Sequence, residues 1–395
     1  MSLLSVDAAL DMVLALAPEP QPEDVDLADG LGRVLLLDAV SRMEQPPFDA
    51  AAMDGYAVRA ADLPGPLSVV GESAAGRGWD GTLAAGQAVR IFTGAPVPSG
   101  ADRVVMQEDT TRDGDRITVT GDAGRSHIRP RGNDFAAGDR LPAGRRLSAA
   151  DIALLAAMNV PRVTVARAPR VAVLAGGDEL VRPGQIPGPG QIISSNDLAV
   201  AALARQAGAE PRILPLARDD EENLRAAFAN AAGADLIVTI GGASVGDHDL
   251  IGRVAAGLGM DRAFHRIAMR PGKPLMAGRL GQAVMLGLPG NPVSAMVTAV
   301  LFLQPLIRQM QRATSAAAPV RHGRLGRDLG AEGDRQHYLR ATLSHGPEGT
   351  AVTPFDDQDS ARLALMAQAD ALLIRPAGDP ARRAGEAVTY IPLSA

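Results

Sequence analysis

The stretch Asp235–Asp249 reads DLIVTIGGASVGDHD, and its first half decides the fold. Leu236-Ile237-Val238-Thr239-Ile240 is a short apolar run without alternation, the pattern of a strand buried on both faces of a parallel sheet. It breaks at Gly241-Gly242, passes through Ala243-Ser244-Val245-Gly246 and ends among Asp247 and Asp249. A buried strand opening into a glycine turn sets bare backbone N–H groups at the carboxyl edge of a sheet. That edge is where open α/β sheets take their ligands, anions in particular. Carboxylates beside an anion nest are electrostatically awkward unless a metal ion or a cationic group stands between them and the anion.

Two further segments extend this reading. Met269–Pro274, MRPGKP, sets Arg270 and Lys273 on a proline-stiffened loop. Ala283–Leu288 then reads as a strand and leads into Pro289-Gly290-Asn291-Pro292-Val293-Ser294-Ala295. Asn291 suits an N-cap and Pro292 the first helical position, so a helix N-terminus supplies a second anion site. Each piece alone is more often a tight turn, a rigid surface loop or a cap. Three of them between Gly241 and Ala295, all at expected strand ends, favour a ligand site.

Composition narrows the function classes. At 395 residues the chain exceeds one core, so two or more domains are expected. A net charge of −6 argues against a nucleic-acid partner. There is no cysteine, which removes disulfides, thiolate metal sites and a cysteine nucleophile. Histidines stand at 127, 248, 265, 322, 337 and 345 without metal-ligand spacing, so a structural zinc site is not expected. The start, Met1–Pro20, carries Asp7 and Asp11 and lacks a basic region, so it reads as an amphipathic helix rather than a signal peptide. No run of about 18 apolar residues is present, and the expectation is a cytoplasmic protein without a membrane partner.

The grammar changes along the chain. Ser5–Ala17 reads as a helix. From residue 46 to His127 short β segments alternate with Gly and Pro: Tyr56–Val58, Leu67–Glu72, Ala88–Phe92, Val104–Glu108 and Arg116–Val119. Ser148 begins another short helix. From Arg170 onward strands and helices alternate, with strands at Val171–Leu174, Arg212–Leu216, Leu236–Ile240 and Ala283–Leu288. Helices are expected over Asp197–Ala207, Asp219–Ala232, Leu250–Ala256 and Pro292–Gln311. Alternation of this kind implies a doubly wound parallel sheet with helices on both faces. Asp219 suits the N-cap of its helix. Arg312–Pro319 reads as a linker, and short strands return after Gly323.

The segments GGASVGDHD, RPGKP and GLPGNPVSA resemble those of the molybdopterin molybdenumtransferases, the MoeA family that includes the C-terminal domain of gephyrin. Asp49–Ala57 (DAAAMDGYA), Ile91–Pro98 (IFTGAPVP), Arg129–Asp134 (RPRGND) and Gly177–Leu180 (GDEL) fit in the same order, and the likeness extends to about Tyr390. The resemblance implies transfer of molybdate onto adenylylated molybdopterin with release of AMP, forming the molybdenum cofactor. It also implies a multidomain α/β plus β fold. An N-terminal linker domain falls in two stretches, 1–45 and 129–168, and a small β domain is inserted between them at 46–128. An α/β molybdopterin-binding domain follows at 169–312 and a C-terminal β barrel at 319–395. A homodimer, Mg²⁺ and a molybdopterin adenylyltransferase as the supplying partner belong to the same implication.

Site residues follow partly from chemistry and partly from the resemblance. A pyrophosphate, a dithiolene and incoming molybdate are all anionic, and Arg266, Arg270 and Lys273 supply a cation cluster. The family usually has Lys where Arg266 and Arg270 stand. By resemblance, Asp54, Thr93, Asp134, Glu179, Asp219 and Asp249 are the catalytic set, with Glu179 and Asp249 holding the metal. Gly241, Gly242, Ser244, Gly246, Gly290, Asn291 and Ser294 join the cations in binding substrate. Lys273, Ser294, Arg340 and Ser360 match positions that contact molybdate, although the family usually has glycine at Asp356 or Asp357. Hydroxyl residues that the family often carries are replaced by Ala175, Gly176 and Ile240, leaving more phosphate binding to backbone amides. Two rivals stay open: a carrier or scaffold that binds molybdopterin without turnover, and a nucleotide-pyrophosphate hydrolase on the same α/β domain.

Overall fold

A computed structural model describes residues 3–241 and 250–393. The central sheet has the strand order Glu210–Ile213, Arg170–Ala175, Leu236–Ile240, Ala283–Leu288, Met276–Leu280, Asp261–His265. The first four run parallel, in the register Val173 opposite Val238 opposite Leu286. The last two are antiparallel and form one edge. That edge was not foreseen, because MAGRL carries a glycine and an arginine and DRAFH is half-exposed, so neither shows an apolar run.

Period-2 geometry sorts the sheet's side chains between two cores. Val171, Val173, Leu236, Val238, Val284 and Leu286 face the helices Val6–Ala15, Asn196–Gln206 and the long helix from Pro292. Ala172, Leu174, Ile237 and Met285 face Glu221–Asn230 and Leu250–Gly257. The sheet is therefore wound on both sides. The Val6–Ala15 helix, assigned to the linker stretch 1–45, packs into this α/β core instead, through Val6, Ala9 and Val13. Its apolar spacing could not say which core it would join.

The helix beginning at Pro292 runs to Met310 and widens over Ala299–Leu303, just before Pro305, which has no N–H for the regular ladder. By length and hydropathy it would suffice to cross a membrane, yet 83% of that window is buried inside the protein.

The linker unit joins its two stretches directly, with Pro22–Asp26 antiparallel to Arg162–Ala166. Its core mixes Leu27 and Leu35 with Phe135, Leu155 and Val163. Ser148 caps the Ala149–Ala157 helix in a capping box with Asp151. The inserted sheet has the order Arg103–Met106, Gly55–Val58, Gln87–Ile91, Leu67–Ser73, Arg116–Val119, Thr110–Asp113. In the C-terminal unit Gln336–Gly346 pairs with both Gly349–Pro354 and Ala371–Arg375, which closes the barrel. A short strand from the α/β unit, Met269–Arg270, adds to that barrel parallel to Gln336–His337.

Asp235 clamps the start of the central strands. Its carboxylate accepts from Arg167 Nη2 at 2.9 and 3.0 Å and from the Arg170 N–H at 2.7 Å. Burial alone would push its pKa up, but the bonds from Arg167 and Arg170 outweigh that and hold it below the ordinary carboxylate value. Asp235→Asn is expected to lower stability by about 1–2 kcal/mol at neutral pH. A depressed folded-state pKa contributes stability above the unfolded pKa and loses it as pH falls through the folded one, so the two proteins should converge in acid. Urea unfolding at pH 7 and in acid checks this, and equal midpoints at pH 7 would contradict it.

Candidate functional site

Three turns converge at the carboxyl edge of the parallel strands. Gly241 follows Leu236–Ile240 with φ +86, a conformation that favours glycine, and donates its N–H to Leu288 O at 3.1 Å. A Cβ at Gly290 would lie 3.5 Å from Gly241 Cα, and one at Gly241 would lie 3.4 Å from Gly176 O. A single added methyl would thus already fill the space between the ends of neighbouring strands. Asn196 Nδ2 donates to Gly290 O at 2.6 Å and fixes the third turn. Gly242, Ser244, Gly246 and Asp249 lie outside the described residues. Ala175 and Ile240, where the family often has hydroxyls, are 3% exposed and belong to the apolar core, so of the three departures only Gly176 borders the crevice.

The Pro292 helix starts beside this crevice, but its cap differs from the sequence reading. Asn291 occupies the N-cap position with extended backbone, yet its side chain makes no cap bond. Instead Nδ2 donates to Ser360 Oγ at 2.9 Å, while the Val293 N–H donates to Ser360 O at 3.1 Å. The barrel loop therefore caps the helix from outside, a tertiary contact no local pattern announces. Ser294 follows in the first turn, 5% exposed.

Arg340 also departs from expectation. It is 1% exposed, and its guanidinium donates to Gln358 Oε1 at 3.3 Å and to the carbonyls of Arg362, Asp357 and Asp359 at 2.9, 3.3 and 3.0 Å. It holds the 357–362 loop in shape rather than presenting an open fork to molybdate, and it reaches the crevice through Ser360.

The cation loop is built as a hairpin. Arg266 N donates to Leu275 O and Ile267 N to Lys273 O, both at 3.0 Å. Arg266 has φ +111, which is strained for a bulky side chain. Gly272, at φ +105, lies so close to the helix that a Cβ would stand 2.5 Å from Thr298 Cγ2. This contact presses the segment carrying Arg270 and Lys273 against the helix of Ser294. Arg266, Arg270 and Lys273 are all exposed.

Acids gather on the neighbouring turn. Glu179 folds over Gly177, where an added Cβ would meet its carboxylate at 2.4 Å. Asp219 N donates to Asp178 Oδ1 at 3.3 Å. Asp220, not Asp219, caps the Glu221–Asn230 helix, accepting from Asn223 N at 2.8 Å. With two adjacent aspartates, sequence could not say which one caps, and the outcome leaves Asp219 unengaged by the helix. Desolvation first, then the charges of Asp178 and Glu179, push its carboxyl above the ordinary value. A cavity of about 610 Å³ opens here, lined by Gly177, Asp178, Gln191, Arg218 and Asp219 among others. Among the described residues no three His, Cys, Asp or Glu side chains gather as a ready metal cage.

Asp54 and Thr93 meet on the inserted sheet: Asp54 Oδ1 accepts from the Thr93 N–H and Oγ1, each at 2.7 Å. Those two bonds hold Asp54 below the ordinary carboxylate value. Asp134 is exposed on the linker unit, with its N–H on Gln45 O at 2.9 Å. The structure thus brings Gly241, Gly290, Asn291, Ser294, Ser360, Arg270 and Lys273 to one end of the sheet. Glu179 and Asp219 stand beside them on the next turn. Asp54, Thr93 and Asp134 keep to their own units. Asp178, Asn196 and Gln358 were missed: Asn196 immediately precedes the helix expected over Asp197–Ala207, and nothing local marks Gln358.

A second cavity of about 570 Å³ lies at the opposite, amino end of the strands, lined by Arg167, Arg170, Asp235, Phe228 and Gln282 among others. Its arginines are already committed to Asp235. It offers less free positive charge than the crevice and is not the ligand end of a parallel sheet.

Asp178→Asn removes one of the charges that raise Asp219. Carboxyl carbon NMR should then find the Asp219 midpoint moved down toward the ordinary value. An unmoved midpoint would mean that the turn does not crowd the acids as described.

Comparison with known proteins gives one consistent result. Residues 4–159 match the MoeA N-terminal region (domain I and II), 172–309 a probable molybdopterin binding domain, and 322–393 the MoeA C-terminal region (domain IV). A molybdopterin molybdenumtransferase of Nostoc sp. is 38% identical over 97% of this chain and 91% of its own length. One of Haemophilus influenzae is 39% identical over 78% of each. A molybdopterin biosynthesis MoeA protein from Pyrococcus horikoshii superposes with a TM-score of 0.85 at 26% identity, covering 99% of this chain and 100% of that one.

Proposed function

This chain belongs to the MoeA family, and on that premise we propose that it is a molybdopterin molybdenumtransferase, which inserts molybdate into adenylylated molybdopterin and releases AMP. The observation that carries the reading is the convergence at one sheet edge of the Gly241 and Gly290 turns, the Arg270–Lys273 loop and Ser360 of the barrel. Glycine turns let a phosphate chain lie against backbone. Arg270 offers a bidentate fork and Lys273 a point charge. Lys273 and Ser294, on facing segments, take molybdate, and Ser360 completes that subsite from the barrel.

The crowded carboxylates of the Glu179 turn have the hard oxygen donors that suit Mg²⁺; burial first, then the charges of Asp178 and Glu179, raise Asp219, and a cation would relieve the repulsion. Glu179 and Asp249 would hold the ion, which when bound offsets phosphate charge. The Asp54–Thr93 pair works on the crevice of a second copy, so the protein is a homodimer with composite sites. Sedimentation at twice the 40.8 kDa of one chain supports this, and a monomer overturns it. A molybdopterin adenylyltransferase supplies the substrate, in the cytoplasm.

The reading is tested by following AMP release from adenylylated molybdopterin with and without molybdate. Molybdate-dependent release is expected. Release without molybdate would identify a pyrophosphate hydrolase, and tight binding without release a carrier. Lys273→Ala should raise the molybdate requirement about tenfold, because a charge-assisted hydrogen bond contributes roughly 1.5–3 kcal/mol. A fixed molybdate requirement with collapsed pterin affinity would assign the loop to the other anion.

A further inference from the structure

Arg90 stands on the Gln87–Ile91 strand of the inserted sheet, directly opposite Tyr56 on Gly55–Val58. Its guanidinium packs over two aromatic rings, 5.1 Å from the Tyr56 centroid and 4.8 Å from that of Phe92. Nη1 donates to Gly55 O at 3.0 Å and Nη2 to Gln107 Oε1 at 2.6 Å. Each of these partners adjoins the Asp54–Thr93 pair. Gly55 follows Asp54 and Phe92 precedes Thr93 in the chain. Gln107 donates its N–H to Asp54 O at 3.1 Å. Gly55 itself cannot move off its neighbour strand, since even a Cβ there would meet Val105 O at 1.8 Å.

We propose that Arg90 is a positioning residue for the transfer reaction: it clamps the segments that carry Asp54 and Thr93 and so fixes the carboxylate–hydroxyl pair presented to substrate. The inference rests on the reading of Asp54 and Thr93 as site residues. Arg90 does not contact substrate in this account. Two rings pack against it, and a donor at each tip is already engaged within the sheet. Lysine cannot replace it, because only a planar fork packs on both rings and bonds Gly55 O and Gln107 together.

The test is steady-state and single-turnover AMP release with Arg90→Met, Arg90→Lys and Gln107→Leu. Arg90→Met should lower kcat about 10–100-fold, the scale of a small misplacement of reacting groups, while KM for adenylylated molybdopterin stays within about twofold. Arg90→Lys should follow it, and Gln107→Leu should lower kcat in the same direction by less. Arg90→Met combined with Thr93→Ala should lose less than the product of the two single losses. A raised KM with unchanged kcat, multiplying losses, or a fully active Arg90→Lys overturns the proposal. If Arg90→Met fails to fold, Gln107→Leu decides alone, and its wild-type kcat would be fatal. Asp54→Asn separates the levels. If it retains full turnover, the functional reading of the pair is wrong. If it is dead while Arg90→Met is fully active, only the clamp is wrong.

Discussion

The close approach of Gly272 to Thr298 is the contact on which the rest of the site depends. There is no room for a side chain between them: a Cβ would sit 2.5 Å from the threonine methyl. This contact lays the Arg270–Lys273 loop along the Pro292 helix, whose start faces the Gly241 and Gly290 turns. The same loop begins with Met269–Arg270, which is a strand of the C-terminal barrel. The barrel returns a second contact through Ser360, on Asn291 and Val293. Two units thus close on one crevice from both sides, and displacement of the barrel would move cations, helix cap and Ser360 together.

Charge distinguishes the two ends of the sheet. The parallel strands open toward the exposed cations Arg266, Arg270 and Lys273, and the carboxylates of the Glu179 turn stand close by. At the other end Asp235 consumes the charge of Arg167 and Arg170 and welds the linker's last strand to the sheet. Similar residue types therefore do opposite jobs at the two ends. One cluster is satisfied and structural. The other gathers Asp178, Glu179 and Asp219, and burial first and then the charges of its two neighbours raise the Asp219 carboxyl.

Much of this was legible in the sequence. Leu236–Ile240 and Ala283–Leu288 are buried on both faces and therefore uniformly apolar, so strand, turn and crevice could be read directly. The inserted strands alternate between Gly and Pro stops and also fell close to their expected places. What failed was tertiary. Met276–Leu280 lacks an apolar run because Gly278 and Arg279 interrupt it, and Asp261–His265 because it is the edge strand with one side free. Asn291 had the right identity for a cap, but a serine more than sixty positions away won its side chain. Arg340 had the right charge for an oxyanion ligand, but the carbonyls of the 357–362 loop took its donors. Asp219 and Asp220 differ by one position, and only the helix phase separates cap from free carboxylate.

A crystal structure of the protein with adenylylated molybdopterin would decide whether the carboxyl edge of the sheet, rather than its amino end, holds the pyrophosphate of the substrate. Phosphates are expected against the Gly241 and Gly290 turns, within hydrogen-bonding reach of Arg270 or Lys273. Phosphates in the cavity beside Arg167 and Arg170, with the glycine turns empty, would contradict that placement.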